Sequence, residues 1–290
     1  QRQMCIRDSI SYVKWDCNRY VTQPGSTYLQ PDKQSHLLID YNWALYRLMD
    51  RFAKGFPDVM AMLCAGGSGR VDYGSMQYFH SFWPSDNTDP LGRIKIQWGF
   101  SHFFPASTIS AHVTRMGKRH LKMAIDVALS GSFGIDLALD KATPEEREQL
   151  AAAVKLYKES IRPILVNSWE AAYFDFDGDT LYELAKEAKN VGIDMLVLDD
   201  GWFGKRDDDN SGLGDWFVNE KKLGGTLGSL IQKINDLGVK FGIWIEPEMI
   251  SEDSDLYREH PDWALTIPGR NPVHARNQLV LDFSRKEVVD

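Results

Sequence analysis

The chain has 290 residues, 43% hydrophobic and 26% charged, a composition that suits one large α/β barrel or two ordinary domains and excludes a disordered chain. With 33 basic against 41 acidic side chains the formal net charge is −8, which leaves no basic surface for nucleic acid or an anionic membrane. No apolar run approaches the roughly 20 residues of a membrane helix, and the 3 cysteines (Cys5, Cys17, Cys64) offer neither a disulfide framework nor a zinc spacing.

Reading from the N-terminus, ISYVKW (10–15) is a predicted strand, and a helix follows from about His36 to Phe56 with apolar side chains at helical spacing. DVMAMLCA is the next strand and ends in the turn Gly66-Gly67-Ser68-Gly69. YFHSFW is a third, leading to a helix from about Asp89 to Phe104. STISAHV and GSFGIDLAL are weaker strands, separated by a helix over 119–130. Thr143-Pro144-Glu145-Glu146 places proline at the first position and glutamate at the third of a capping box, so a helix is expected from Thr143 to Ser160. RPILVNSW is a strand, and a helix from Leu181 to Asn190 ends near Gly192. IDMLVLDDGW is nearly all apolar, as a strand buried on both faces should be. A helix from Leu227 to Leu237 stops at Gly238, and VKFGIWIEPEM is the last strand. Eight strands with helices between most of them predict a closed (β/α)8 TIM barrel.

Six of the strands end in polar clusters: Lys14-Trp15-Asp16-Cys17-Asn18-Arg19, Cys64 with its glycine turn, Ser85-Asp86-Asn87-Thr88-Asp89, Asn167-Ser168-Trp169-Glu170, Asp199-Asp200-Gly201-Trp202 and Glu246-Pro247-Glu248. A single acidic residue after a strand is usually only the cap of the next helix. Six such ends converge on one mouth in a barrel, where active sites are built. Asp199-Asp200 is the sharpest signal, because adjacent carboxylates repel unless something binds them. Carboxylates with Trp and Asn, and no Cys/His cluster, point to glycoside hydrolysis by two carboxylates; 9 Trp, 11 Tyr and 14 Phe add the aromatic platforms that sugar sites use. Other motifs fall away. The glycine turn lacks the Lys-Ser/Thr of a phosphate loop. Asp207, Asp209, Ser211 and Gly212 imitate a calcium loop whose twelfth position would be Val218 instead of Glu.

At these residues the sequence resembles the bacterial α-galactosidases of glycoside hydrolase family 36. KWDCNR is similar to the family's nucleophile motif, with Cys17 in place of Met, and CAGGSGRVDYG to its glycine-rich segment, with Ser68 for one glycine. WPSDNTD matches the acid/base motif; NSWEAAYFDF, VLDDGWFGKR, LGDW, GIWIEPEMIS, HPDW and RNQLVLDFSR are further family segments. The resemblance implies Asp16 as nucleophile and Asp86 as general acid/base. It implies that Asp199 and Asp200 hold galactose hydroxyls, while Lys14, Asn18, Trp169, Cys64, Gly67 and Arg276 line the sugar pocket. The implied activity is retaining hydrolysis of terminal α-galactosides of the raffinose and melibiose type, with no cofactor or metal. Galactosyl transfer or an N-acetylgalactosamine substrate would use the same pocket. A barrel fragment that only binds sugar weakly is the reading of a different class. The expected partner is an α-galactoside oligosaccharide, with neither nucleic acid nor membrane, in the cytoplasm; homo-oligomers are implied only for the full-length family protein.

The order of the segments departs from the family, since NSWEA through LVLDFSR precedes KWDxNR there and follows it here. The reading is a non-family leader over 1–9, strands four to eight of the barrel over 10–161, and strands one to three over 162–290. A circular permutation or a misassembled reading frame would each produce that order, without the family's N-terminal β-sandwich and C-terminal β-domain. Lys14 lies on the same strand face as Asp16 and is expected to keep it ionised.

Overall fold

The computed structural model describes residues 9–160 and 164–289. Eight parallel strands build the sheet: β1 Ile10–Trp15, β2 Met60–Leu63, β3 Ser81–Phe82, β4 Ser110–Val113, β5 Ser132–Ile135, β6 Leu165–Asn167, β7 Met195–Leu198 and β8 Lys240–Ile245. Their order is β3-β2-β1-β8-β7-β6-β5-β4, so the first strand in sequence pairs with the last. A single parallel bridge, Phe82 to Ile109, brings β3 against β4 and leaves the barrel nearly closed. The expected (β/α)8 barrel is therefore the observed fold.

Six longer helices pack outside the sheet: α1 Leu37–Gly55, α2 Pro90–Ser101, α3 Leu121–Ala128, α4 Pro144–Ser160, then, after the one-turn α5 Trp169–Ala172, α6 Gly178–Asn190 and α7 Leu227–Asp236. Their starts follow the sequence signals. Glu146 N–H donates to Thr143 Oγ1 at 3.2 Å and Thr143 N–H to Glu146 Oε2 at 3.1 Å, the reciprocal bonds of a capping box. Asp89, Asp177 and Thr226 cap α2, α6 and α7 with their side chains.

Alternation along the strands divides the core in two. Val13 and Trp15 of β1, Leu63 of β2 and Leu196 and Leu198 of β7 face the helices in the main apolar core. Tyr12, Met62, Cys64, Trp83, Met195 and Val197 face inward and form a separate cluster within the barrel. Gly242 makes room for it, since a Cβ there would stand 2.9 Å from Tyr12 Cβ and 3.1 Å from Val197 Cγ2. The inward positions of β1 continue from Tyr12 to Lys14 and Asp16, which places the last two above this apolar plug, at the C-terminal mouth.

Two elements differ from expectation. YFHSFW shortens to the two paired residues Ser81–Phe82, although Trp83 N–H still donates to Leu63 O at 2.8 Å. A small antiparallel sheet, β9 Met249–Ile250 with β10 Leu279–Val280, lies beyond β8. Two-residue strands are too short to show a period, so the sequence pattern does not reveal them.

Candidate active site

The strand ends surround a cavity of about 280 Å³, lined by eight carboxylates (Asp16, Asp86, Asp136, Glu170, Asp199, Asp200, Asp209, Glu246) against Lys14, Arg206 and Arg276. Trp83, Trp169, Tyr173 and Trp244 supply aromatic walls. This is a little below the roughly 300–1,000 Å³ of clefts that take drug-sized ligands, a size for something as small as one sugar ring.

Asp16 follows β1, and its own N–H donates to Ile245 O at 2.8 Å, which extends the β1–β8 pairing to the cavity floor. Its Oδ1 accepts the Cys17 N–H at 2.8 Å and its Oδ2 the Trp244 indole at 3.2 Å. Burial pushes such a carboxyl up; here Lys14, the Cys64 thiol, the Cys17 N–H and Trp244 outweigh it and hold Asp16 below the usual carboxylate range. Lys14 thus favours the ionised form as expected, yet its direct partner is Asp199, at 2.9 Å.

Asp86 enters from the loop after β3, its Oδ1 accepting the Trp83 indole N–H at 3.0 Å. That loop rests on Gly67, where φ is +102° and a Cβ would stand 3.1 Å from Ser85 Cα. Asp199 and Asp200 end β7. The repulsion expected between them is relieved within the chain, because Asp200 takes Arg206 Nη2 at 2.8 Å and Nε at 3.0 Å while Asp199 takes Lys14. Arg276, from the loop before β10, donates to Asn18 Oδ1 at 2.8 Å. Trp169 opens α5 and packs edge-on against Tyr173 and Phe174, with centroids 5.2 and 5.3 Å away.

Of the ten expected site residues, Lys14, Asp16, Asn18, Asp86, Trp169, Asp199, Asp200 and Arg276 line the cavity. Cys64 and Gly67 do not; the thiol lies beneath Asp16 and the glycine behind the Asp86 loop. Several lining residues escaped sequence reasoning. Trp244 continues the inward alternation of β8, as does Glu246, which the polar end of that strand had already marked. Asp136 does the same for β5, where it accepts the Glu170 N–H at 2.8 Å. Burial and the Asp136 charge push Glu170 up to about 7, and burial with the Asp16 charge pushes Glu246 up to about 8. Arg206 closes the VLDDGWFGKR segment but had no role assigned from sequence, since only the folded loop returns it to Asp200. Among the described residues, no group of three or more His, Cys, Asp or Glu is placed to hold a metal ion, and no helix is long and apolar enough to cross a membrane.

Fold and site together define the class: a (β/α)8 barrel whose mouth carries the paired carboxylates and indole walls of the glycoside hydrolases. The family described as Melibiase matches residues 2–161 and 157–290, and the chain belongs to that family. The bifunctional alpha-galactosidase/sucrose kinase AgaSK of Mediterraneibacter gnavus is 72% identical over 129 residues, 44% of this chain and 14% of its own length. Alpha-galactosidase AgaA of Geobacillus stearothermophilus is 53% identical over 222 residues, 77% of this chain and 29% of its own. Alpha-galactosidase Mel36A of Lactobacillus acidophilus is 56% identical over 134 residues, 46% of this chain and 18% of its own. The chain thus spans less than a third of each of these relatives.

Proposed function

We propose that this cavity hydrolyses terminal α-galactosides of the raffinose and melibiose type with retention of configuration. The observation that carries the reading is a buried carboxylate held ionised, Asp16, sharing one sugar-sized cavity with Asp86 on the loop after β3. The names of the three relatives support the same substrate class.

Asp16 attacks the anomeric carbon while Asp86 gives its proton to the leaving oxygen. Water then cleaves the glycosyl-enzyme, with Asp86 taking the proton back. Trp244 and the Cys17 N–H fix the two oxygens of Asp16, which spends little ordering on the attack. Asp199 and Asp200, locked by Lys14 and Arg206, present their remaining lone pairs to sugar hydroxyls, with Asn18, Arg276 and Trp169 along the wall and Cys64 and Gly67 behind it.

Purified protein and its Asp16→Asn variant, assayed on an aryl α-galactoside, test the assignment. The expected result is release by the parent chain and a loss of more than about 10³-fold in the variant. Folded parent protein that releases nothing would make this a sugar-binding barrel without catalysis.

We also infer that the chain is the family barrel entered at its fourth strand, with a leader over 1–9, strands four to eight over 10–161 and the first three over 162–290. The division of the family match into two segments that meet at 157–161 supports this. Residues 1–8 and 161–163 lie outside the described residues. An experimental structure superposed on a full-length relative tests the order: β1 must fall on the relative's fourth barrel strand.

A further inference from the structure

Glu246 directly follows β8, lines the cavity floor and is almost wholly enclosed. Asp16 and Cys17 act on it from the end of β1, and Asp200 and Arg206 from beyond β7. Gln278 reaches it from the start of β10, while nearby Arg276 is turned toward Asn18. The cations around it are engaged elsewhere: Lys14 with Asp199, Arg206 with Asp200, Arg70 with Glu248.

The two oxygens of Glu246 have different surroundings. Oε1 accepts the Asn18 N–H and, at 3.4 Å, the Gln278 amide. Oε2 is sealed from water and has no donor. An ionised carboxylate spreads its charge over both oxygens, and a bare, unsolvated half of that charge is strongly disfavoured. The neutral acid is the less costly state: Oε1 is then the carbonyl that accepts two N–H groups, and Oε2 carries the hydroxyl, so that one unpartnered O–H is buried in place of half an anionic charge.

We propose that Glu246 is a positioning residue that stands as the neutral acid beneath the sugar, holds the Asp16-Cys17-Asn18 turn through the Asn18 N–H, and leaves Asp16 as the only anion of the two. The inference rests on the reading of Asp16 as nucleophile and goes beyond it. The carboxyl is pushed up to about 8, first by burial and then by Asp16, so it ionises in mildly alkaline solution. A neutral sugar seated above the new anion would bury it further, so sugar binding must weaken as Glu246 loses its proton.

Stability follows the same titration. The carboxyl ionises near its ordinary value in the unfolded chain and only near 8 in the folded one, so between those limits the native state holds the extra proton. Stability then falls as pH rises through that window, and levels off above it. Glu246→Gln, which keeps the carbonyl and cannot ionise, removes that slope.

The decisive test needs no activity. Infrared difference spectra of folded parent minus Glu246→Gln protein, titrated from about pH 5 to pH 10, should contain a protonated-carboxyl C=O band that is lost near pH 8. A band lost only in the ordinary carboxylate range would overturn the proposal. Calorimetric binding of galactose, which is neutral over this range, gives a second reading. Affinity of the parent chain should drop about fivefold or more between pH 6 and pH 10, and the drop should be several-fold smaller in Glu246→Gln, where Glu170, pushed up to about 7, is left to titrate in the cavity. A flat parent profile overturns the proposed coupling to the sugar. If galactose binds at no pH, the α-galactoside reading fails instead, and the infrared band still decides the state of Glu246.

Discussion

Gly67 shows how a residue outside the cavity shapes the chemistry within it. Its φ of +102° is one that side chains rarely adopt, and a Cβ would press on the backbone of Ser85, one residue before Asp86. Gly67→Ala should cost on the order of 1–3 kcal/mol of stability, read as a lower denaturant midpoint. Because the displaced backbone carries Asp86, turnover should fall more than affinity for galactose. Equal losses in both would place the strain elsewhere. Cys64 is a comparable case below Asp16: burial pushes its thiol well up, so it remains a protonated donor to the carboxylate beside it and is not a nucleophile.

At the scale of elements, the α4 start tests local sequence logic directly. Thr143→Ala removes the hydroxyl that accepts the Glu146 N–H and should cost about 1 kcal/mol, seen as a lower Tm, with the cavity untouched. Such caps were legible because their chemistry lies within four residues. So were the eight strands, whose apolar runs are bounded by glycine turns and polar ends, and the inward placement of Lys14 with Asp16, which needs only the period of two. What could not be read was set by distant returns of the chain. Arg206 folds back onto Asp200 within its own loop, Gln278 arrives beside the two-residue strand β10, and the Glu248 carboxylate is held by Arg70 from the loop after β2 and by the Trp15 indole of β1. The motif resemblance supplied Asp86 and Trp169. It could not say that Cys64 and Gly67 support the wall from behind.

Over the whole molecule, the barrel is unevenly tied. β1 and β8 pair along five register positions, whereas β3 meets β4 through the one Phe82–Ile109 bridge. Amide exchange should therefore open first at Ser81 to Trp83 and around Ile109, and last at Val13 to Trp15. Equal protection at both places would contradict a weak seam. Phe82, fully buried against Phe100 and Phe104 at 5.1 Å, holds that seam by packing, so Phe82→Ala should cost about 3–5 kcal/mol.

The two carboxylates of the mouth thus stand on footings of unequal strength. Asp16 extends the best-paired strand contact in the barrel, while Asp86 hangs beside the seam on the Trp83 indole. Under the proposed roles, gentle heating disables proton delivery before it disables attack. A galactoside whose leaving group departs unaided, such as a nitrophenolate, would then go on reacting at temperatures where raffinose has become inert, and the gap between the two inactivation curves would measure the slackness of a single joint in the ring.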